Sequence, residues 1–211
     1  QLARLVDDLL DVSRITQHKV VLELERLDMN ELLRRVLEDL AVVFETSGLV
    51  LVPMLDPSPI TLIADRARLA QVFDNLLQNA VKFTPRGGRV TVCSALDTDA
   101  RTIAVRIADT GIGIEPEMIP QLFKAFSQLD TGLDRHRGGL GLGLALVKGI
   151  VELHGGEVSV SSAGPGHGTE FVVTRPWKAV QEVAPEYRPA LAGRCRRILI
   201  IEDNVDLAET L

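Results

Sequence analysis

The segment that most restricts the fold of this chain is 71-QVFDNLLQNAVKFTP-85. Its apolar residues recur at helical spacing, so one side of the helix must be buried. Asn75, Asn79 and Lys82 stand at i, i+4 and i+7, which places them together on one helical face. Asparagine is a poor helix former because its amide competes for backbone hydrogen bonds. Two of them on one face beside a lysine suit either a hydrated outer surface or a site that uses amide oxygens and a positive charge. An amide oxygen is a fitting ligand for a phosphate-bound Mg²⁺, and a lysine can meet phosphate as a point charge.

Short strands and further helices surround this segment. Residues 19–25 (KVVLELE) read as a strand, and Asp28 caps a helix running to about residue 46, with Glu31 placed for a capping box and Gly48 ending it. Residues 49–55 read as a strand broken by Pro53, hence near a sheet edge. A short strand at 60–64 precedes Asp65, which caps the helix 66–83; Thr84-Pro85 and Gly87-Gly88 stop it. Strands at 89–96 and 101–108 flank Asp97-Thr98-Asp99, and a helix pattern covers 116–122. A polar, glycine-bearing loop at 127–140 leads to a helix from Gly141 to His154, closed by Gly155-Gly156. A hairpin, 157–162 and 169–174, turns through AGPGHG.

The flanks read differently. Residues 1–16 carry Leu2, Leu5, Val6, Leu9, Val12 and Ile15 as a helical stripe, suited to packing on its own domain or to half of a helix–helix interface. Residues 177–195 have the prolines and lack of periodicity of a linker. The apolar RILII at 197–201 suits a buried parallel strand. The chain starts at Gln1 and stops inside a helical pattern at Leu211, and so reads as a piece of a longer protein.

Composition narrows the class. Of 211 residues, 46% are apolar, enough for a core, and with six Phe, one Tyr and one Trp that core has to be aliphatic. A net charge of −6 argues against general nucleic-acid binding. Cys93 and Cys195 form neither a disulfide framework nor a zinc spacing and suit reduced thiols in a cytoplasmic chain. No apolar run approaches the roughly 20 residues of a membrane helix, and no signal peptide is visible.

Two further stretches bear chemistry. In 109-DTGIGI-114, Asp109 can accept from an exocyclic amine and the glycines allow close backbone approach, although a plain strand-ending turn reads the same way. In 138-GGLGLGLALVK-148, alternating glycines enter a helix N-terminus, where N–H groups and the dipole favour anions. It is not a P-loop, since the Gly-Lys-Ser/Thr ending is missing; a lid hinge is compatible with both.

Order and spacing together are specific. Residues 28–174 closely resemble the ATP-binding catalytic domain of two-component sensor histidine kinases. Asn75–Pro85 resemble the N box, Asp109–Ile114 the G1 box, Gln121–Gln128 (QLFKAFSQ) the F box, Gly138–Leu144 the G2 box and Gly164–Phe171 the last glycine box. The flanks are similar to the second helix of the dimerisation and phosphotransfer hairpin (1–18) and to the start of a receiver domain (196–211), with 19–176 as the catalytic domain.

The resemblance implies an α/β two-layer sandwich, a mixed sheet with helices on one face, shared with gyrase-type ATPases. It implies ATP and Mg²⁺ as ligands. Asn79 would ligate Mg²⁺, with Lys82 on phosphate and Phe83 against the adenine. Asp109 would read the adenine amine, supported by Thr169, while Gly111, Gly113 and Ile114 close on the nucleotide. Gly139, Leu140, Gly141, Leu142, Gly143 and Leu144 would cradle the phosphates, and Phe123 and Phe126 would pack the lid. Glu202 and Asp203 match the receiver's acidic Mg²⁺ pair. Leu140 stands where threonine is common, which puts one phosphate contact in doubt.

Gyrase-like relatives carry a glutamate as base one turn before the metal-binding Asn. Here that position is Asn75, so slow hydrolysis is expected. None of His18, His136, His154 and His167 sits in an acceptor-box sequence. The resemblance therefore implies phosphotransfer to a histidine upstream of Gln1, in a dimeric parent, with a receiver domain or response regulator as the next partner. An ATP-gated interaction module without transfer is the alternative.

Overall fold

The computed structural model describes residues 9–11, 13–14, 20–126 and 141–177. Their strands are β1 (Glu25–Asp28), β2 (Val50–Met54), β3 (Thr61–Ala64), β4 (Arg89–Asp97), β5 (Thr102–Asp109), β6 (Glu157–Ser161) and β7 (Thr169–Pro176). The α-helices are α1 (Met29–Ser47), α2 (Arg66–Phe83) and α3 (Gly143–Leu153), with a short 3₁₀ helix at Pro116–Gln121; residues Leu9–Asp11, Ser13 and Arg14 are also helical.

Five strands form a mixed sheet in the order β2-β4-β5-β7-β6, and β1 pairs with β3 beside it. Only β2 and β4 run parallel; the other pairs of the main sheet are antiparallel. Alternation decides which face is covered. Val90 and Val92 of β4, Ile103, Val105 and Ile107 of β5, and Phe171 and Val173 of β7 are all buried. They meet Leu33, Leu37 and Phe44 of α1, Val72, Phe73, Leu76 and Leu77 of α2, and Leu146 and Ile150 of α3 in one core. The result is a sheet with helices on one face, as the resemblance implied. Pro53 lies on the outer edge strand β2, where its missing N–H costs no ladder bond.

The helix caps follow the sequence reading, with one change. Asp28 Oδ1 accepts from the N–H groups of Asn30 (2.9 Å) and Ile60 (3.1 Å), so it caps α1 and fastens the entry to β3. Glu31 pairs with Arg35 one turn on, rather than reaching back as a capping box requires. Gly48 closes α1 in the left-handed conformation (φ 68°). Asp65 Oδ1 accepts from Arg68 N–H (3.0 Å) at the start of α2.

Two elements differ from expectation. The strand expected at 19–25 is β1 at Glu25–Asp28, because its partner β3 offers only four residues, in the register Glu25↔Ala64 to Asp28↔Thr61. Upstream, Val21 and Leu24 are 88% and 57% exposed, so alternation there has no face to bury. The pattern at 116–122 is 3₁₀ rather than α, with Pro116 at its start and Pro120 inside removing a donor. At the end of β7, Trp177 N–H donates to Arg101 O (2.7 Å) and its indole N–H to Thr61 O (2.9 Å).

The start of α2 is a crossing point. Asp11 accepts from Arg68 (2.5 Å) and Gln71 (3.1 Å), tying the N-terminal helical residues to α2. The rest of the expected stripe, Leu2, Leu5, Val6, Val12 and Ile15, lies outside the described residues, as do the loop 127–140 and the whole of 178–211.

His154 fastens α3 to the same point. It follows the last turn of α3 and is buried (7% exposed). Its Nε2 accepts from Asp65 N–H (3.1 Å), so the ring proton sits on Nδ1 and is donated to Ile150 O (2.8 Å). Burial holds the imidazole below its ordinary pKa, and Arg175 adds to this; the Ile150 carbonyl and Asp65 oppose it. The neutral ring is therefore the folded form. Its stabilisation is complete above the unfolded pKa of about 6.5 and is lost as pH falls below it through the lower folded value. His154→Gln is expected to be less stable than wild type by about 1–2 kcal/mol at pH 7.5. Urea unfolding at stepped pH should show that gap shrinking between pH 7 and 5.

Candidate functional site

α2 and α3 lie antiparallel, with His154 at Asp65 at one end and Gly143 beside Asn75 at the other. A methyl on Gly143 would sit 3.6 Å from Asn75 Oδ1, so that amide faces the first turn of α3. The N-cap of α3 is Leu142, whose side chain makes no capping hydrogen bond. The first N–H groups of the helix have no intrahelical acceptor, and the helix dipole adds positive potential there. Asn75 and Asn79 are half-buried on α2, and Lys82 is exposed with its Nζ 4.7 Å from the centre of the Phe83 ring.

The second wall is the turn after β5. Asp109 ends that strand directly opposite Thr169, the first residue of β7. Its carboxylate accepts the Gly111 N–H (2.7 Å) and the backbone N–H of Thr169. Burial pushes its pKa up, while those two hydrogen bonds pull the other way and leave it above the ordinary value. A carboxylate offers about four acceptor directions, so Asp109 is anchored with acceptor capacity left over. Ile112 N–H donates to Phe83 O (3.1 Å), which joins this turn to the end of α2.

The loop between β6 and β7 presses against the turn. Gly113 (φ 71°) has no room for a Cβ, which would overlap the carbonyl oxygen of Gly164, and Gly168 (φ 71°) is likewise blocked by the carbonyl oxygen of Asp109. Gly166 N–H bonds to Ile112 O (2.6 Å) and Gly168 N–H to Gly111 O (3.1 Å). Ile114 is buried, and its N–H goes to Ser162 Oγ (3.0 Å).

The described residues singled out in the sequence fall on four elements, and two contacts link them: Gly143 lies beside Asn75, and Ile112 N–H reaches Phe83 O. Asn75, Asn79, Lys82 and Phe83 come from α2, Asp109, Gly111, Gly113 and Ile114 from the turn, Thr169 from β7, and Gly141, Leu142, Gly143 and Leu144 from the entry to α3. Phe123 packs half-buried against the core, whereas Phe126 is 63% exposed and takes a left-handed backbone (φ 64°). Phe126 N–H bonds to Gly141 O (3.2 Å). Gly139, Leu140, Glu202 and Asp203 lie outside the described residues. Sequence reasoning missed Ser162, a serine with no charge or motif of its own to mark it.

The donor set has a clear chemical bias. Among the described residues no group of three His, Cys, Asp or Glu could hold a metal ion. A cation at the neutral amides of α2 would need a ligand that carries its own negative charge, as polyphosphate does. A carboxylate with spare acceptor capacity and a helix N-terminus headed by leucine are the kinds of group that fit a heteroaromatic amine and an anionic tail.

Comparison with known proteins agrees. Residues 64–179 match the family model described as histidine kinase-, DNA gyrase B- and HSP90-like ATPase. Hybrid signal transduction histidine kinase L of Dictyostelium discoideum is 41% identical over 175 residues, 81% of this chain and 10% of that protein. Sensor histidine kinase GacS of Pseudomonas protegens is 35% identical over 205 residues, 95% of this chain and 22% of that protein. The chain thus spans a tenth to about a fifth of these relatives' length. Among solved structures, full-length ShkA in complex with AMPPNP superposes with a TM-score of 0.72 at 34% identity, covering 83% of this chain and 35% of that one. The Acinetobacter baumannii histidine kinase AdeS gives 0.69 at 26%, covering 84% and 79%.

Proposed function

Because the chain belongs to the histidine kinase-, DNA gyrase B- and HSP90-like ATPase family, and the relatives named above are histidine kinases, we propose that it binds Mg-ATP between α2, the Asp109 turn and the start of α3. It passes the γ-phosphate to a histidine carried on a separate phosphotransfer helix. The observation that carries this reading is Asp109: a part-buried carboxylate, held by the Gly111 and Thr169 N–H groups at a strand end, with acceptor capacity left for an adenine amine.

Phosphoryl transfer asks a protein mainly for positioning and charge neutralisation. Asn79 supplies an amide oxygen for Mg²⁺, whose contribution is to neutralise charge on the phosphates. Lys82 offers a second positive charge near the same groups, and the first-turn N–H groups of α3, at Gly143 and Leu144, donate to phosphate oxygens. Phe83 gives the adenine an apolar neighbour. Asn75 sits where a hydrolase would need a base, and an amide cannot take a proton from water. The γ-phosphate is thereby kept for a nucleophile that arrives already able to attack, such as a neutral imidazole. A partner hairpin, a dimeric parent and a downstream receiver domain belong to the same proposal, as does a cytoplasmic setting.

Asn79→Ala tests the assignment. Titration calorimetry with AMPPNP and Mg²⁺ should show binding by wild type and at least tenfold weaker binding by the variant, from loss of a ligand to the cation. Equal affinities would remove Asn79 from the site. A folded wild type that binds no nucleotide would remove the proposal.

A further inference from the structure

Ser162 follows β6, across β7 from the strand that carries Asp109. Its hydroxyl accepts from Ile114 N–H (3.0 Å) and Gly164 N–H (3.3 Å) and donates to Gly168 O (2.7 Å). A hydroxyl has one donor and two acceptor directions, so all its capacity is used on backbone groups. Those groups belong to two pieces, the Asp109 turn and the glycine loop, that must hold together for the pocket to exist. Ile114 ends the Asp109 turn. Gly164 sits where Gly113 has no room for a Cβ, and Gly168 is packed as tightly on Asp109 itself. Gly168 also precedes Thr169, whose N–H holds the Asp109 carboxylate.

From this we infer that Ser162 is a positioning residue for the base-binding end of the pocket. It sets the separation of the Asp109 turn and the glycine loop without touching the ligand. The inference rests on the nucleotide reading above. Without the hydroxyl, two N–H groups and one carbonyl lose their partner, and the turn and loop can separate. The effect falls at the end of the pocket away from Asn79, so it should be blind to the number of phosphates.

The test compares ADP and AMPPNP binding to wild type, Ser162→Ala, Ser162→Thr and Ser94→Ala. Ser94 is a matched control: its hydroxyl also joins two groups, Asn30 Oδ1 (2.6 Å) and Asp56 N–H (2.9 Å), but in the contact of β4 with the start of α1. Ser162→Ala should weaken both nucleotides by the same factor, about tenfold. Threonine should restore most of the loss, and Ser94→Ala should bind as wild type despite a lower melting temperature. A folded Ser162→Ala that binds within twofold of wild type, or weakens AMPPNP alone, overturns the inference. If wild type binds neither nucleotide, the nucleotide reading fails and this one with it. Should the alanine variant not fold, amide exchange of the wild type decides. Slow exchange at Ile114 and Gly164 is expected, and exchange at open-loop rates overturns the role.

Discussion

Asp109→Asn is expected to lose adenine-nucleotide binding by about 10- to 100-fold, the worth of a hydrogen bond to a charged acceptor, while gaining stability at neutral pH. The two effects have one cause. Burial raises the carboxyl pKa in the folded state. A raised carboxyl pKa means that the group favours folding below its unfolded value, near 3.8, and that this advantage is lost as pH rises through the folded value. At pH 7 the ionised carboxylate is thus a cost to the fold. The asparagine oxygen can still accept from Gly111, but its amide replaces acceptor capacity with donors. Melting at pH 7 should therefore place the variant above wild type, with the gap closing toward pH 4. A variant that binds as tightly as wild type would dismiss Asp109 as the amine acceptor.

Gly168→Ala should be the most damaging single methyl in the pocket. The residue has φ 71°, and the added carbon would overlap the Asp109 carbonyl oxygen, which is backbone and cannot swing aside. A left-handed non-glycine conformation costs about 1–2 kcal/mol and overpacking about 1–3 more. The expected loss is about 2–5 kcal/mol of unfolding free energy, together with nucleotide binding. Gly155→Ala is the comparison: its φ is also 70°, but nothing stands near the added methyl, so only the conformational cost applies. Urea denaturation of both variants separates strain from overlap, and equal losses would contradict the clash.

The parts of the fold that could be read from the sequence are those fixed by local chemistry. Asp28, Gly48 and Asp65 mark helix ends because a carboxylate or a left-handed glycine satisfies orphan backbone groups within a few residues. Pro53 announces an edge strand because it lacks the N–H that an inner strand needs for its ladder. The residues 19–25 misled because alternation says only that a segment could be a strand. Whether it is depends on a partner, and β3 supplies one only from Glu25 onward.

The same division runs through the site. Asn75, Asn79 and Lys82 were legible because helical spacing alone puts them on one face. Asp109 was legible because it interrupts an apolar strand just before two glycines. Ser162 and the Asp65–His154 tie were not, since each depends on bonds between segments distant in sequence: Ser162 lies 48 residues from Ile114, and His154 lies 89 from Asp65. His154 was read as a helix-end residue, which it is; its buried tie to α2 is a fact of packing.

On the proposed reading the γ-phosphate is delivered to a histidine and not to water. The direct measurement mixes this chain with γ-labelled ATP, Mg²⁺ and a helical hairpin from a sensor histidine kinase that carries its acceptor histidine. Label on the hairpin and label released as inorganic phosphate are followed together. Acid-labile, alkali-stable label accumulating on the hairpin, faster than phosphate appears in solution, is the predicted result. Steady phosphate release with an unlabelled hairpin would contradict the claim and make the chain a hydrolase.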